Sequence, residues 1–248
     1  MAEVELSVVI PAYDEALVIQ PTIKAVAAYL TAARIAHEIL IVDDGSADGT
    51  VQAVRELIPA IPTVRVLPAE HRGKGHAVCM GMLDARGTQI LFMDADHSTR
   101  IEEWAKYAPW LRDGYEVVIG SRKIPGANIQ VRQPWLRETM GKGFTWLTNA
   151  LLQAGVSDVT CGFKGFRSDA ARAIFRLQRL DGWGFDAEIL YIARRIGCRI
   201  KEVPVIWADD ASTNVRLGRD ALRSFQELLA VRYGAWRGWY TKDGSRAS

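Results

Sequence analysis

Short apolar runs that stop abruptly in acidic, glycine or serine residues recur along this chain, and the sharpest is Gln89 to Ser98, QILFMDADHS. Ile90, Leu91, Phe92 and Met93 form a run of strand length without polar alternation, the pattern of a strand covered on both faces. The run ends at Asp94, Ala95 and Asp96, which places two carboxylates at the C-terminal lip of a strand. In an open α/β sheet ligands bind at that lip, and hard oxygen donors there suit Mg²⁺ or Mn²⁺ bridging to a diphosphate. Asp is also a preferred turn and cap residue, so the pair gains meaning only from the rest of the chain.

The rest alternates strand and helix patterns. Leu6 to Ile10 is a β-branched run stopped by Pro11, Thr22 to Ala33 has helical periodicity, and Glu38 to Val42 is a strand stopped by Asp43, Asp44 and Gly45. Gly49 to Ile58 reads as helix, Val64 to Leu67 as strand, Gly75 to Ala85 as helix, Ile101 to Leu111 as helix and Glu116 to Gly120 as strand. Such alternation predicts right-handed crossovers and an α/β fold with a mostly parallel central sheet flanked by helices. Polar residues gather where the strands end: Pro11 to Glu15, Asp43 to Ser46, Asp94 with Asp96, and Gly120 to Arg122. Turn chemistry accounts for any one of these clusters, but their recurrence on one sheet edge points to a ligand site. A dinucleotide site is disfavoured, since no GxGxxG follows the first strand.

Composition narrows the class. With 248 residues, 49% of them hydrophobic, the chain can build one large α/β core. Its 31 Lys and Arg against 29 Asp and Glu leave a net charge of +2, too small to argue for a nucleic-acid partner. Cys79, Cys161 and Cys198 are odd in number and widely spaced, which indicates neither a disulfide framework nor a zinc site and fits a reducing cytosol. The start, MAEVELSVVIPAY, lacks a basic segment before its apolar run, and no apolar stretch is long enough to span a bilayer. The expectation is a cytoplasmic protein that meets a membrane, if at all, peripherally at its cytoplasmic face.

PAYDE at Pro11 to Glu15, VDDGSADGT at Val42 to Thr50, RGKGHAV at Arg72 to Val78, MDADHS at Met93 to Ser98 and GSR at Gly120 to Arg122 resemble, as a set, the inverting GT-A glycosyltransferases of family two. TCGFKGF at Thr160 to Phe166, WGFDAEILYIA at Trp183 to Ala193 and IKEVPVIW at Ile200 to Trp207 are similar to the branch that makes polyprenyl-phosphate sugars, which contains dolichyl-phosphate glucosyltransferases and mannose synthases. The resemblance runs from about Leu6 to Arg232. It implies a GT-A catalytic domain over 1–232, with an amphipathic interface segment at about 129–154, and an aromatic and basic tail over 233–248.

That resemblance assigns roles. Asp43 meets the nucleobase, with Pro11, Tyr13, Glu15 and Asp44 beside base and ribose, and Asp94, Ala95 and Asp96 form the metal and diphosphate site, with His97 a further metal or outer contact. Lys74, between Gly73 and Gly75 at a helix start, stands where backbone N–H groups and a cation favour phosphate; a plain exposed lysine is the alternative. A lipid phosphate acceptor, largely dianionic at neutral pH, needs positioning and charge screening more than a strong base. Arg122, Arg132 and Arg137 offer guanidinium groups for it, although an exposed helix face explains the last two equally well. Asp186 and Glu188 are carboxylates near the acceptor in related enzymes, and orient sugar or acceptor hydroxyls. One departure concerns the acceptor: the branch commonly has Ser/Thr, Lys, Val/Leu where this chain has Thr213, Asn214 and Val215, so Arg216 or Arg219 takes over the charge or the phosphate is held differently.

The expected reaction is transfer of a hexose from a nucleoside diphosphate sugar, UDP-glucose favoured over GDP-mannose, to a polyprenyl phosphate with Mg²⁺ or Mn²⁺; transfer to a saccharide hydroxyl and a non-catalytic nucleotide-sugar sensor are the alternatives. Trp135, Leu136, Phe144 and Trp146 on one segment, and Phe225, Leu229, Tyr233, Trp236 and Trp239 on another, accompany basic residues in the pattern of a lipid-interface helix, or of helices packed on the sheet.

Overall fold

The computed structural model describes residues 3–131, 134–208 and 217–241. In chain order the elements are β1 (Leu6–Ala12), α1 (Ile19–Ala32), β2 (His37–Asp43), α2 (Thr50–Leu57), β3 (Val64–Pro68), α3 (Lys74–Asp84) and β4 (Gln89–Met93). A 3-10 helix (Ile101–Lys106) leads to α4 (Ala108–Arg112), β5 (Val117–Ser121), β6 (Asn128–Val131) and α5 (Trp135–Leu152). Then come β7 (Phe163–Arg167), α6 (Ser168–Phe175), α7 (Phe185–Arg195), β8 (Ile200–Pro204), β9 (Ile206–Ala208) and α8 (Leu217–Trp236).

Among the described residues seven strands form one sheet in the order β3-β2-β1-β4-β7-β5-β8, parallel except for β7, and β6 pairs with β9 in a small second sheet. The expected α/β architecture with a mostly parallel sheet is present. Successive strand residues serve opposite faces: Leu91 and Met93 pack toward α1, α2 and α4, while Ile90 and Phe92 pack toward α3, α6 and α7. Both faces are covered, which is why the run at Ile90 to Met93 has no polar alternation. Each such side chain contributes about 1.5–3 kcal/mol when withdrawn from water.

Three local expectations change. β1 continues through Pro11 to Ala12, because Pro11 lies beyond Val9, the last β1 residue paired with β4, where a missing N–H costs no bond of that ladder. The helix expected over Ile101 to Leu111 is split at Tyr107: Pro109 sits in the first turn of α4, and its ring cannot be accommodated inside a continuous α-helix. The boundary expected at 232 falls within α8, and Tyr240 beyond it is 2% exposed in the core.

Insertion of β7 matters most for the site. It runs antiparallel between β4 and β5, with Met93 opposite Phe163 and Asp94 N–H donating to Gly162 O at 3.1 Å. Residues Asp158 to Lys164 are thereby laid beside the lip of β4.

Candidate active site

The loops after β1 and β2 are tied to each other. Asp14 N–H donates to Ser46 Oγ at 3.0 Å, Ala47 N–H to Asp14 Oδ1 at 2.9 Å, and Glu15 N–H to Thr50 Oγ1 at 2.9 Å. Asp43, 5% exposed, accepts from Ser46 N–H at 3.3 Å. Asp44, 3% exposed, accepts from Arg72 and Gly73 N–H at 3.0 Å each, and its Oδ2 lies 2.9 Å from His71 Nδ1. That nitrogen also lies 3.0 Å from Asp44 O, so both its neighbours are acceptors and it carries the proton. Held this way, the His71 ring stacks on Tyr13 with centroids 4.2 Å apart. Pro11, Tyr13, Glu15, Asp43 and Asp44 thus share one edge of the sheet, Asp44 as the anchor of the 71–73 loop.

That loop delivers Lys74. Gly73 has φ 126°, a conformation L side chains rarely adopt, and an added Cβ would lie 2.6 Å from Asp181 O. His76 N–H donates to the same Asp181 O at 3.3 Å, and Arg72 pairs with the Asp181 carboxylate at 2.7 Å. Fixed at the start of α3, Lys74 Nζ reaches Asp94 Oδ1 at 2.6 Å and lies 5.6 Å from the Phe92 ring centroid and 5.1 Å from that of Trp183. Burial opposes its charge, but Asp94, Asp186 and Asp96 outweigh burial and hold the ammonium pKa above its ordinary value.

At the lip itself, Ala95 O accepts from Thr22 Oγ1 at 2.7 Å, and Asp96 Oδ1 accepts from Ser98 N–H at 2.9 Å. Burial, then the neighbouring Asp94, pushes the Asp96 carboxyl up. Asp94 Oδ1 contacts Lys74 as an ion pair but outside hydrogen-bond geometry, and is left without a hydrogen bond. Gly162 is required here, since a Cβ on it would overlap Asp94 Oδ2 and come within 2.6 Å of Oδ1. His97 has φ 56°, and its Nε2 accepts from Ile101 N–H at 3.2 Å, within its own loop.

No group of three His, Cys, Asp or Glu among the described residues can enclose a metal ion. Two carboxylates at one lip, one with a buried oxygen that meets only the Lys74 ammonium, instead fit a hard divalent cation that takes its remaining ligands from water and a substrate diphosphate, as Mg²⁺ commonly does. Asp94 and Asp96 are the residues that would hold it.

Beyond the lip, Asp186 on α7 is 4% exposed and accepts from Lys164 Nζ at 2.5 Å, while the same ammonium donates to Cys161 O at 2.7 Å. Burial raises the Asp186 carboxyl despite Lys164 and Lys74. Charges therefore alternate through the site from Asp94 to Lys74, Asp186 and Lys164. Arg122, at the end of β5, is paired with the buried Asp158, and its Nη2 donates to Thr160 Oγ1 at 3.0 Å. Lys123 Nζ lies 3.7 Å from Asp158 and donates to Thr145 Oγ1 at 2.9 Å, joining α5 to the same cluster.

Glu188 lies outside this cluster. It is fully buried, accepting from Arg179 and Leu180 N–H at 3.1 and 2.9 Å and from Tyr240 Oη at 2.7 Å. Arg137 and Arg219 fall on α5 and α8. Arg132, Arg216 and the Thr213, Asn214, Val215 triplet lie outside the described residues. Asp158, Lys164 and Trp183 join the site without having been singled out. Lys164 carried a signal, a lysine among the apolar residues of FKGF, whereas Asp158 carried none.

A glycosyl transferase family 2 model matches residues 7–175. The dolichyl-phosphate beta-glucosyltransferase of Dictyostelium discoideum is 31% identical over 247 residues, covering 91% of this chain and 76% of that protein. The Homo sapiens dolichyl-phosphate beta-glucosyltransferase is 30% identical, covering 94% and 78%. Among solved structures, mannosyl-3-phosphoglycerate synthase from Rubrobacter xylanophilus aligns with TM-score 0.72 at 20% identity, over 95% of this chain and 75% of that one. Glucosyl-3-phosphoglycerate synthase from Mycobacterium tuberculosis, in complex with Mn²⁺, UDP-glucose and phosphoglyceric acid, aligns with TM-score 0.66 at 20% identity, over 92% and 80%. At that identity these two establish a shared fold.

Proposed function

Because the chain belongs to glycosyl transferase family 2 and is a glycosyltransferase of the dolichyl-phosphate glucosyltransferase-like group, we propose that it transfers glucose from UDP-glucose, with inversion, to a polyprenyl phosphate. The observation that carries this reading is the similarity over 91% of the chain to a dolichyl-phosphate beta-glucosyltransferase. The site geometry supports it.

Tyr13, Glu15 and Asp43 are assigned to the base and ribose, with the Asp43 carboxylate to accept from a base N–H. Asp94 and Asp96 would hold Mg²⁺ or Mn²⁺, which would neutralise charge on the departing nucleoside diphosphate. Lys74 adds a cation on the same side. A lipid phosphate acceptor arrives largely dianionic, so no strong base is required of the protein. Asp186, fixed by Lys164 at 2.5 Å, is placed to orient a hydroxyl of the transferred sugar. Arg122, expected at the acceptor phosphate, is paired at both Nε and Nη2 with Asp158, and so fixes the segment beside the lip rather than presenting a free charge to the substrate.

The acceptor implies a membrane surface. On α8 Phe225, Leu229, Tyr233 and Trp236 recur at helical spacing and are exposed, as are Trp135 and Trp146 on α5, which packs against α8. No described helix is long and apolar enough to cross a membrane. Aromatic residues on such helices suit a peripheral contact at the head-group level of a cytoplasmic leaflet.

The test is a donor screen with purified protein, Mg²⁺ or Mn²⁺ and a short polyprenyl phosphate, following lipid-linked sugar by mass. Product from UDP-glucose is expected. Product from GDP-mannose alone would replace the donor, and release of UDP only in the presence of a saccharide would replace the acceptor.

A further inference from the structure

We propose that Lys74 is the resident counter-ion of the Asp94 and Asp96 pair, displaced by a divalent cation only when a nucleoside diphosphate arrives to receive its ammonium, so that this one side chain couples metal binding to nucleotide binding. The inference rests on the metal and nucleotide reading of the site given above.

Lys74 Nζ stands 2.6 Å from Asp94 Oδ1, a buried oxygen with no other donor, so that Lys74 alone keeps this oxygen from a metal. Two cations cannot share that oxygen at contact distance without strong repulsion in a partly desolvated site. Metal entry and the present position of Lys74 are thus mutually exclusive. Leaving is feasible, because the other neighbours of the ammonium are the rings of Phe92 and Trp183, at 5.6 and 5.1 Å, and these contacts are weakly directional. Departure also strands no carboxylate: Asp186 keeps Lys164 at 2.5 Å, and Asp94 gains the metal. The ammonium has a destination only when a diphosphate lies at the lip beside it. Without nucleotide, the metal competes with a built-in cation. With nucleotide, both cations are satisfied. Coupling of this kind is reciprocal, so metal must tighten nucleotide binding by the factor that nucleotide tightens metal binding.

The experiment titrates Mn²⁺ into the full chain, reading free Mn²⁺ by electron paramagnetic resonance, without nucleotide and with saturating UDP, in wild type, Lys74→Met and Lys74→Gln. Circular dichroism and thermal melting check that the variants fold. Wild type should bind Mn²⁺ weakly alone and more tightly with UDP. Both variants should bind Mn²⁺ alone about tenfold or more tighter than wild type, as removal of an adjacent unit charge requires. They should also lose part of the tightening by UDP, the part that direct coordination of the metal by the diphosphate does not supply. Variants that bind Mn²⁺ alone no better than wild type, or that keep the full UDP effect, would overturn the proposal. An Asp96→Ala protein separates this failure from a deeper one: if it binds Mn²⁺ as wild type does, the carboxylates are not the metal site, and the Lys74 proposal falls with that reading.

Discussion

Arg122 and Asp158 form a two-point pair, Nε donating to Oδ2 at 2.7 Å and Nη2 to Oδ1 at 2.8 Å, and the Arg122 backbone N–H donates to Oδ2 at 3.0 Å. The pair clamps the end of β5 to the segment entering β7, residues separated by 36 positions in the chain. It thereby fixes where Thr160, Cys161 and Gly162 lie against Asp94.

Burial alone would raise the Asp158 carboxyl, but Arg122 outweighs it and holds the pKa below the ordinary 3.8. A lowered folded value means that the stabilisation is present above 3.8 and is lost as pH falls through the lower, folded value. Asp158→Asn should therefore cost about 3–5 kcal/mol near neutrality, because it leaves Arg122 buried and unpaired. Urea unfolding near neutral pH and again well below 3.8 checks this, since the gap from wild type should shrink in acid. An equal gap at both would assign the pair no electrostatic part in stability.

Asp96→Ala removes one of the two carboxylates at the lip of β4. Metal-dependent turnover should be lost while the melting temperature holds or rises, because burial and Asp94 make the charged form of Asp96 unfavourable in the fold. Turnover near that of wild type would refute a metal role for Asp96.

Gly162→Ala places a methyl group where the Asp94 carboxylate now lies. The carboxylate must move, and a displacement on the order of 1 Å at a reacting centre can lower the rate by roughly a hundredfold. Steady-state kinetics should show a fall in kcat of that order with the fold retained, and an unchanged kcat would show that Asp94 has room to spare.

Tyr240→Phe removes the hydroxyl that donates to the fully buried Glu188 at 2.7 Å. The loss should be about 1–3 kcal/mol, the usual consequence of leaving a buried acceptor short of a donor. Thermal denaturation reads it directly. Truncation ahead of Tyr240 should destabilise further, which makes point substitutions the cleaner probe of the neighbouring aromatic face.

Trp146→Ser and Trp236→Ser alter side chains that are 71% and 78% exposed. Stability should change by no more than about 0.5 kcal/mol, as at other exposed positions. Co-sedimentation with anionic vesicles should weaken for each and more for both together, and undiminished binding would place the membrane contact elsewhere.

The sequence by itself determined the parallel strands β1 to β5 and the edge on which their polar ends gather. Apolar runs such as Ile90 to Met93 report burial on both faces, and the acidic lips at Asp43, Asp94 and Asp96 follow because strand ends in an open sheet must turn toward solvent. The motif resemblance determined the family, which the relatives at 30–31% identity bear out. Only the tertiary structure decided which polar residues face one another. Asp186 and Glu188 stand two positions apart on α7, yet one joins Lys164 and the cluster around Lys74, while the other closes a buried bond to Tyr240. Nothing in their spacing separates them, because the partner of each arrives from a distant element. Asp158 is illegible for the same reason: its meaning depends on β7 entering the sheet antiparallel beside β5. Strand patterns are local and survive in the sequence, whereas polar pairing across 22 to 52 positions is set by how the chain returns to the sheet.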